Sequence, residues 1–140
     1  MKSQGKPLLG VRLWPQAYGV ARLRHAPPTL PPVAAGDAPM ALVVGHGEAS
    51  LFAPAATIEA LSDLVEHVSS GWRALTLEAV FPPDTVGVLA AVSRSLAEIG
   101  IPLMVFSSHD TDHFLIPEHA VGRALAALGS AGIERFLPRP

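Results

Sequence analysis

The second half of this chain swings between two hydrophobic periods, and the order of those swings limits its fold more than any other feature. "WRALTLEAV" (72–80) alternates, with Leu75, Leu77 and Ala79 on one side, which is the two-residue period of a strand. "TVGVLAAVSRSLAEIG" (85–100) changes to helical spacing. Val88, Leu89, Val92, Leu96 and Ile99 fall in one stripe, and Gly100 closes it as a C-terminal cap. "IPLMVFSS" (101–108) and "HFLIP" (113–117) read as strands joined by a polar link. "EHAVGRALAALGSAG" (118–132) repeats the helical pattern with Val121, Leu125 and Leu128, again ending on glycine, and "IERFL" (133–137) is a last short strand.

Strand, helix, strand, strand, helix, strand predicts a four-stranded antiparallel sheet with both helices on one face, the ferredoxin-like arrangement. The first half reads as a degenerate copy of the same plan. "LLGVRLW" (8–14) and "YGVARLRH" (18–25) are predicted strands with Pro15-Gln16 between them. "APPTLPPVAAGDAP" (26–39) holds five prolines, which fix φ and remove amide donors, so an irregular crossing replaces the first helix. "MALVVG" (40–45) and "ASLFAP" (49–54) flank "HGE" as a hairpin. "TIEALSDLVEHV" (57–68) has Ile58, Leu61, Leu64, Val65 and Val68 at helical spacing, with Thr57 as its cap. The expected class is α+β, as tandem βαββαβ modules with boundaries at 1–69 and 70–140.

Composition excludes several functions. Hydrophobic residues make up 49% and charged residues 16%, enough apolar material for a core and too little charge for disorder. A formal net charge of -2 with no basic block argues against a nucleic-acid binder. The absence of cysteine removes disulfides, thiol catalysis and cysteine-ligated zinc. No apolar run reaches the roughly 18 residues of a membrane span, and the first residues lack a signal-peptide core, so a cytoplasmic protein is expected.

Polar chemistry concentrates in "VFSSHDTDHFLIP" (105–117). A metal would need His109 and His113 to share one ion, yet on an extended strand they sit about 13 Å apart at ~3.3 Å per residue. A triad from Ser107 or Ser108 with His109 and Asp110 fails because neighbours on extended chain point to opposite faces. Neither a G-x-S-x-G elbow nor a second histidine pair occurs elsewhere. A metal or enzyme site using His109, Asp110, Asp112 and His113 stays as a lesser reading beside the two main ones, a pocket wall and a plain hairpin. As a pocket wall, Asp112 would take an ammonium and the free amides at 86–88, beside Gly87, would take a carboxylate. As a hairpin, Thr111 and Asp112 only stabilise a tight turn. The residues leave these two open. Trp14 and Trp72 are expected to pack, Arg12, Arg22 and Arg24 to face solvent, and His46 to sit in a solvated turn.

Gly71-Trp72-Arg73, Val86-Gly87-Val88-Leu89, Leu96-Ala97-Glu98-Ile99-Gly100-Ile101 and Ser107-Ser108-His109-Asp110-Thr111-Asp112-His113 together resemble the ACT domain. That domain is found in bacterial amino-acid-binding proteins, in CASTOR-type arginine sensors and in the aspartate kinase regulatory region. "YGVARL" and "EASLFAP" extend the likeness into the first half. The resemblance implies a non-catalytic regulatory protein without cofactor or metal. Two ACT modules would hold a small ligand, typically an amino acid, at their seam. Carried over by position, Val86, Gly87, Val88, Ser107, Ser108, Thr111 and Asp112 line the pocket, and Ser50 faces them. Val86 stands where the family has Thr, Ser108 where it has Thr, and His113 where it has Tyr. A homodimer that covers the apolar sheet edges is expected.

Overall fold

The computed structural model describes residues 9–32, 37–79 and 86–136. Seven strands form one sheet: β1 (Leu9–Leu23), β2 (Ala41–Gly45), β3 (Glu48–Pro54), β4 (Val65–Ala79), β5 (Met104–Ser107), β6 (Asp112–Pro117) and β7 (Glu134–Phe136). The helices are α1 (Ala55–Ala60), α2 (Val88–Ala97) and α3 (Val121–Ser130), with short 3-10 turns at Ser62–Leu64 and Glu118–Ala120. The hairpin of β2 and β3 and the order of elements after β4 are as the periodicity predicts.

Two 15-residue strands, β1 and β4, carry the whole architecture. They pair antiparallel from Leu9↔Ala79 to Leu23↔Val65, and the sheet order is β2-β3-β1-β4-β6-β5. The two strands predicted at 8–14 and 18–25 are therefore one. Pro15 does not break β1, because the register shifts between Leu13 and Ala17 and leaves the proline in a bulge that needs no amide donor. Arg73 secures that bulge, donating from Nε and Nη2 to the Trp14 carbonyl at 3.2 and 2.7 Å.

The helix predicted over 57–68 is shorter than its spacing suggested. It ends at Ala60, and Val65 to Val68 open β4 instead. The second half of β1 needs a partner there, and β-branched Val65 and Val68 suit a pleated surface. Pro54 rather than Thr57 occupies the N-cap, without a side-chain cap bond. β4 runs uninterrupted through residues 69 and 70.

The four strands of the second half do not close a sheet by themselves. The first half of β1 lies between β4 and β7, and β7 pairs with it in parallel, Gly10↔Glu134 to Arg12↔Phe136. All three helices cover one face. There Val11, Leu75, Leu77, Phe114 and Ile116 pack against Val92 and Leu96 of α2 and Ala124 and Leu128 of α3. Ala21, Leu23, Leu51 and Ala53 pack against Ile58 of α1. The α2 stripe is narrower than expected, for Leu89 and Ile99 are more than a third exposed while Val92 and Leu96 are fully buried.

Both long helices stop by the same device. Gly100 (φ 72°) and Gly132 (φ 86°) adopt left-handed backbone, and the next residue donates back five positions, Ile101 N to Leu96 O and Ile133 N to Leu128 O, each at 2.9 Å. Ile101 and Ile133 are thereby turned into the core, which anchors the start of the following strand.

The helix-free face is concave. Phe52 of β3 and Phe106 of β5 have ring centroids 5.6 Å apart, although four strand-to-strand steps separate them. On a flat sheet those steps would span about 19 Å at ~4.8 Å per strand. The sheet curls until its edges meet over Tyr18, Ala74 and Leu115, with Trp14, Val20, Trp72 and Met104 around them. Tyr18 ties the crossing segment down, its hydroxyl donating to the Pro39 carbonyl at 2.5 Å.

Candidate functional site

The polar run forms the β5–β6 hairpin. Strand pairing ends at Ser107↔Asp112, and the Ser108 amide donates to the Thr111 carbonyl at 2.9 Å to close the turn. Alternation then divides the run between two faces. Asp112 shares a side of β6 with Phe114, on the helix-covered face. His113 shares the other side with Leu115, on the aromatic face.

On the helix-covered face Ser107 Oγ donates to Asp112 Oδ1 at 2.5 Å. α2 begins on that same face. Gly87 is its N-cap, at φ 89°, and as a glycine it makes no side-chain cap bond. Val88 packs in the cluster that contains Phe114, and Asp112 lies two residues along β6 from Phe114, about 6.6 Å at ~3.3 Å per residue. Val86 is 91% exposed. Asp84 and Thr85, which precede this helix start and could cap it, lie outside the described residues.

On the aromatic face lies a hydrogen-bonded chain that the sequence reading missed. Trp14 Nε1 donates to Thr76 Oγ1 at 2.7 Å, and Thr76 Oγ1 meets His113 Nδ1 at 2.9 Å. His113 Nε2 meets Ser108 Oγ at 3.0 Å, and Ser108 Oγ reaches the Thr111 carbonyl at 3.3 Å. The Phe106 ring packs on the imidazole at 5.3 Å. Burial holds the His113 pKa below its ordinary value, partly opposed by the charge of Asp112. Arg12, expected in solvent, closes the Trp14 end. It lies over the indole at 5.7 Å and pairs with Glu78 at 2.5 Å, and that bond raises its pKa. The signal for this chain was available in outline: Thr76 and His113 are polar residues at inward positions of strands that are otherwise oily.

Of the other predicted residues, Ser50 alternates with Leu51 on β3 and so sits on the aromatic side with Phe52, as Ser108 does. Thr111 is half-buried in the turn. His109 and Asp110 bond each other at 2.7 Å in open solvent, with side chains 95% and 87% exposed. The two histidines of the metal reading are therefore split, one outside and one buried. Among the described residues no three His, Asp or Glu side chains gather as a metal set. His46 occupies the β2–β3 turn at φ 52° and is exposed. Trp72 is half-buried and donates to Ser69 Oγ at 2.9 Å. A groove of about 320 Å³ lies away from the hairpin, between α1 and the first half of β4, with Gly19, Ile58, Glu59, Ser62, Val65 and Val68 among its walls.

A β-hairpin with a Ser–Asp pair and a glycine-led helix start, both on the helix-covered side of a ferredoxin-like sheet, agrees with the family comparison. The ACT domain model matches residues 67–130. This segment of the chain is an ACT domain. The ACT match begins in the first half of β4 and takes in the helix start and the whole hairpin.

Solved structures extend the likeness over nearly the full length. A protein of Agrobacterium tumefaciens is 25% identical with a TM-score of 0.77, covering 96% of this chain and 97% of its own. A Vibrio cholerae protein described as of unknown function, a possible transport protein, is 22% identical with a TM-score of 0.65 over 89% and 90%. The regulatory subunit of aspartate kinase from Thermus thermophilus, in ligand-free form, is 17% identical with a TM-score of 0.59 over 90% and 99%. At those identities the last two share the fold. Comparison with curated proteins gives no match. No helix among the described residues is long and apolar enough to cross a membrane.

Proposed function

We propose that this protein is a non-catalytic regulatory module that binds a free amino acid or a similar small zwitterion. The two ends of the sheet act as two ACT modules that share β1 and β4, the first one degenerate because a proline-rich crossing stands where a helix would be. The ligand sits at the seam. Asp112, positioned by Ser107, takes the ammonium, and the open amides at Val86, Gly87 and Val88 take the carboxylate. Thr111 flanks this cleft from the turn, whereas Ser50 and Ser108 lie on the opposite, aromatic face of the sheet and are left out of it. The observation that supports the reading is that Asp112, two residues from Phe114, and Val88 at the glycine-led start of α2 both belong to the helix-covered side whose core includes Phe114. A carboxylate opposite amide donors is the charge pattern of an amino acid in reverse.

Ligand binding to the native state raises stability by RT ln(1 + [L]/Kd), about 2.7 kcal/mol at one hundred times Kd. Thermal unfolding across the twenty amino acids should show at least one clear rise in Tm. Asp112→Ala should lose that rise while unfolding at a Tm close to the parent's. A panel with no response, or a response that survives in Asp112→Ala, removes this assignment.

A second reading is a dimerisation module. Val43 and Val44 on edge strand β2 are 56% and 58% exposed, and Val105 on edge strand β5 is 39% exposed. Bare apolar edges of this kind invite pairing with a second copy. Sedimentation of the chain with and without a responding amino acid separates a dimer that senses from one that only assembles.

A further inference from the structure

We infer that His113 is a positioning residue: as a neutral imidazole it ties the β5–β6 turn to strands β1 and β4, and uptake of a proton releases that turn.

The direction of the hydrogen-bonded chain carries the inference. An indole N–H can only donate, so Trp14 makes Thr76 Oγ1 an acceptor at 2.7 Å. The one hydroxyl hydrogen of Thr76 is then free to donate, and among the described residues His113 Nδ1, at 2.9 Å, is the acceptor within reach. That choice makes Nδ1 the bare nitrogen and puts the proton on Nε2. Nε2–H donates to Ser108 Oγ at 3.0 Å, and Ser108 passes its own hydrogen to the Thr111 carbonyl. Every group is satisfied once, and each bond points the same way, from the strands toward the turn.

A second proton on His113 has one place to go, Nδ1, which is already accepting. Thr76 would then receive two donors, and its hydroxyl hydrogen would be left in a buried site without an acceptor, which costs about 1–3 kcal/mol. The imidazolium would also be pressed against Phe106 and sealed from water, since His113 is only 7% exposed. The charged groups nearby do not remove the penalty. Asp112 on the same strand favours the cation but projects to the other face. On β1 and β4 the nearest charges, Arg12 and Glu78, are already paired with each other. Met104–Ser107 of β5 and Phe52 of β3 bring no charge, and His109 and Asp110 in the turn face solvent. The relief available is for the imidazolium to leave its seat on Thr76 toward water, and the turn, tied to Nε2 through Ser108, shifts with it. Ser107 and Asp112 close that same turn, so the tether sets their position. Its consequence for a ligand rests on the amino-acid reading, whereas the tether itself does not.

Nitrogen-15 NMR of the full chain, titrated from about pH 8 to about pH 4.5, tests this without any ligand, so its failure is distinct from failure of the amino-acid reading. The expected result is an Nε2–H tautomer for His113 and a midpoint below the ordinary ~6.5. The amides of Ser108 and Thr111 should move with that same midpoint. His113→Gln, which keeps a donor toward Ser108 but does not titrate, should leave those amides unmoved across the range. Ser108→Ala, at an exposed turn position, should keep the fold and uncouple the Thr111 amide from His113. An Nδ1–H tautomer, or turn amides indifferent to the titration, overturns the inference.

Discussion

The two faces of the β5–β6 hairpin are built from adjacent residues and behave as different materials. On one face Ser107 and Asp112 make a short bond at the margin of the helix-packed core, with Ser107 exposed. On the other, Ser108 and His113 end a chain that runs through Thr76 to Trp14 on β1, against aromatic rings. One residue of offset separates the half-buried Asp112 carboxyl from a sealed imidazole. The first face carries the proposed ligand site, and the second, on the inference above, fixes where the first one stands. A polar cluster in sequence is therefore not one site: strand alternation divides it, and each half answers to the layer it meets.

The comparison can be broken at either face, and the largest effect comes from the core beneath the first. Phe114 is fully buried between Leu75 and the helices, so Phe114→Ala should destabilise by about 3–5 kcal/mol in urea unfolding, and a loss under 1 kcal/mol would show that the helix layer is not seated on this strand. On the second face Thr76→Val keeps shape but strips a partner from both Trp14 and His113, which should cost about 1–3 kcal/mol in the same assay. Acid sharpens the contrast further. The His113 pKa is lowered in the native state, so the unfolded chain binds the proton more readily. Stability should be constant above the ordinary ~6.5 and fall as the pH drops from there toward the lower native value. That slope should vanish in His113→Gln. The smallest effect belongs to the open face, where Ser107→Ala should change stability by no more than about 0.5 kcal/mol while still weakening any response to amino acids that depends on Asp112.

Much of the second half was legible because its signals are local. The Leu-to-Gly-Ile endings at 96–101 and 128–133 prescribe the same left-handed stop wherever they occur, and both form. The hairpin around His46 was equally plain, since Gly45 and Gly47 supply the backbone its turn needs. The first half was harder. Val65 and Val68 fit a helical stripe as well as a strand, and the decision came from β1, more than forty residues away. Pro15 looked like a break because its tolerance depends on a bulge that Arg73 completes from another strand. In the polar run the reading found the residues but drew attention to His109 and Asp110, which are exposed, and weighed His113 only as a metal ligand and as a departure from a family pattern. Arg12 was assigned to solvent because charge suggests exposure, yet Glu78 and Trp14 give it a half-buried seat.

The amino-acid order by itself settled the succession of strands and helices after Trp72, the positions of their stops, and the absence of thiol chemistry, because each depends on neighbours within a few residues. Only the tertiary structure decided that β1 and β4 run unbroken through both halves, that β1 slides between β4 and β7, and that Thr76 and Trp14 reach His113. Those outcomes depend on pairing between distant segments, whose energy exceeds local preference and leaves no period in the sequence.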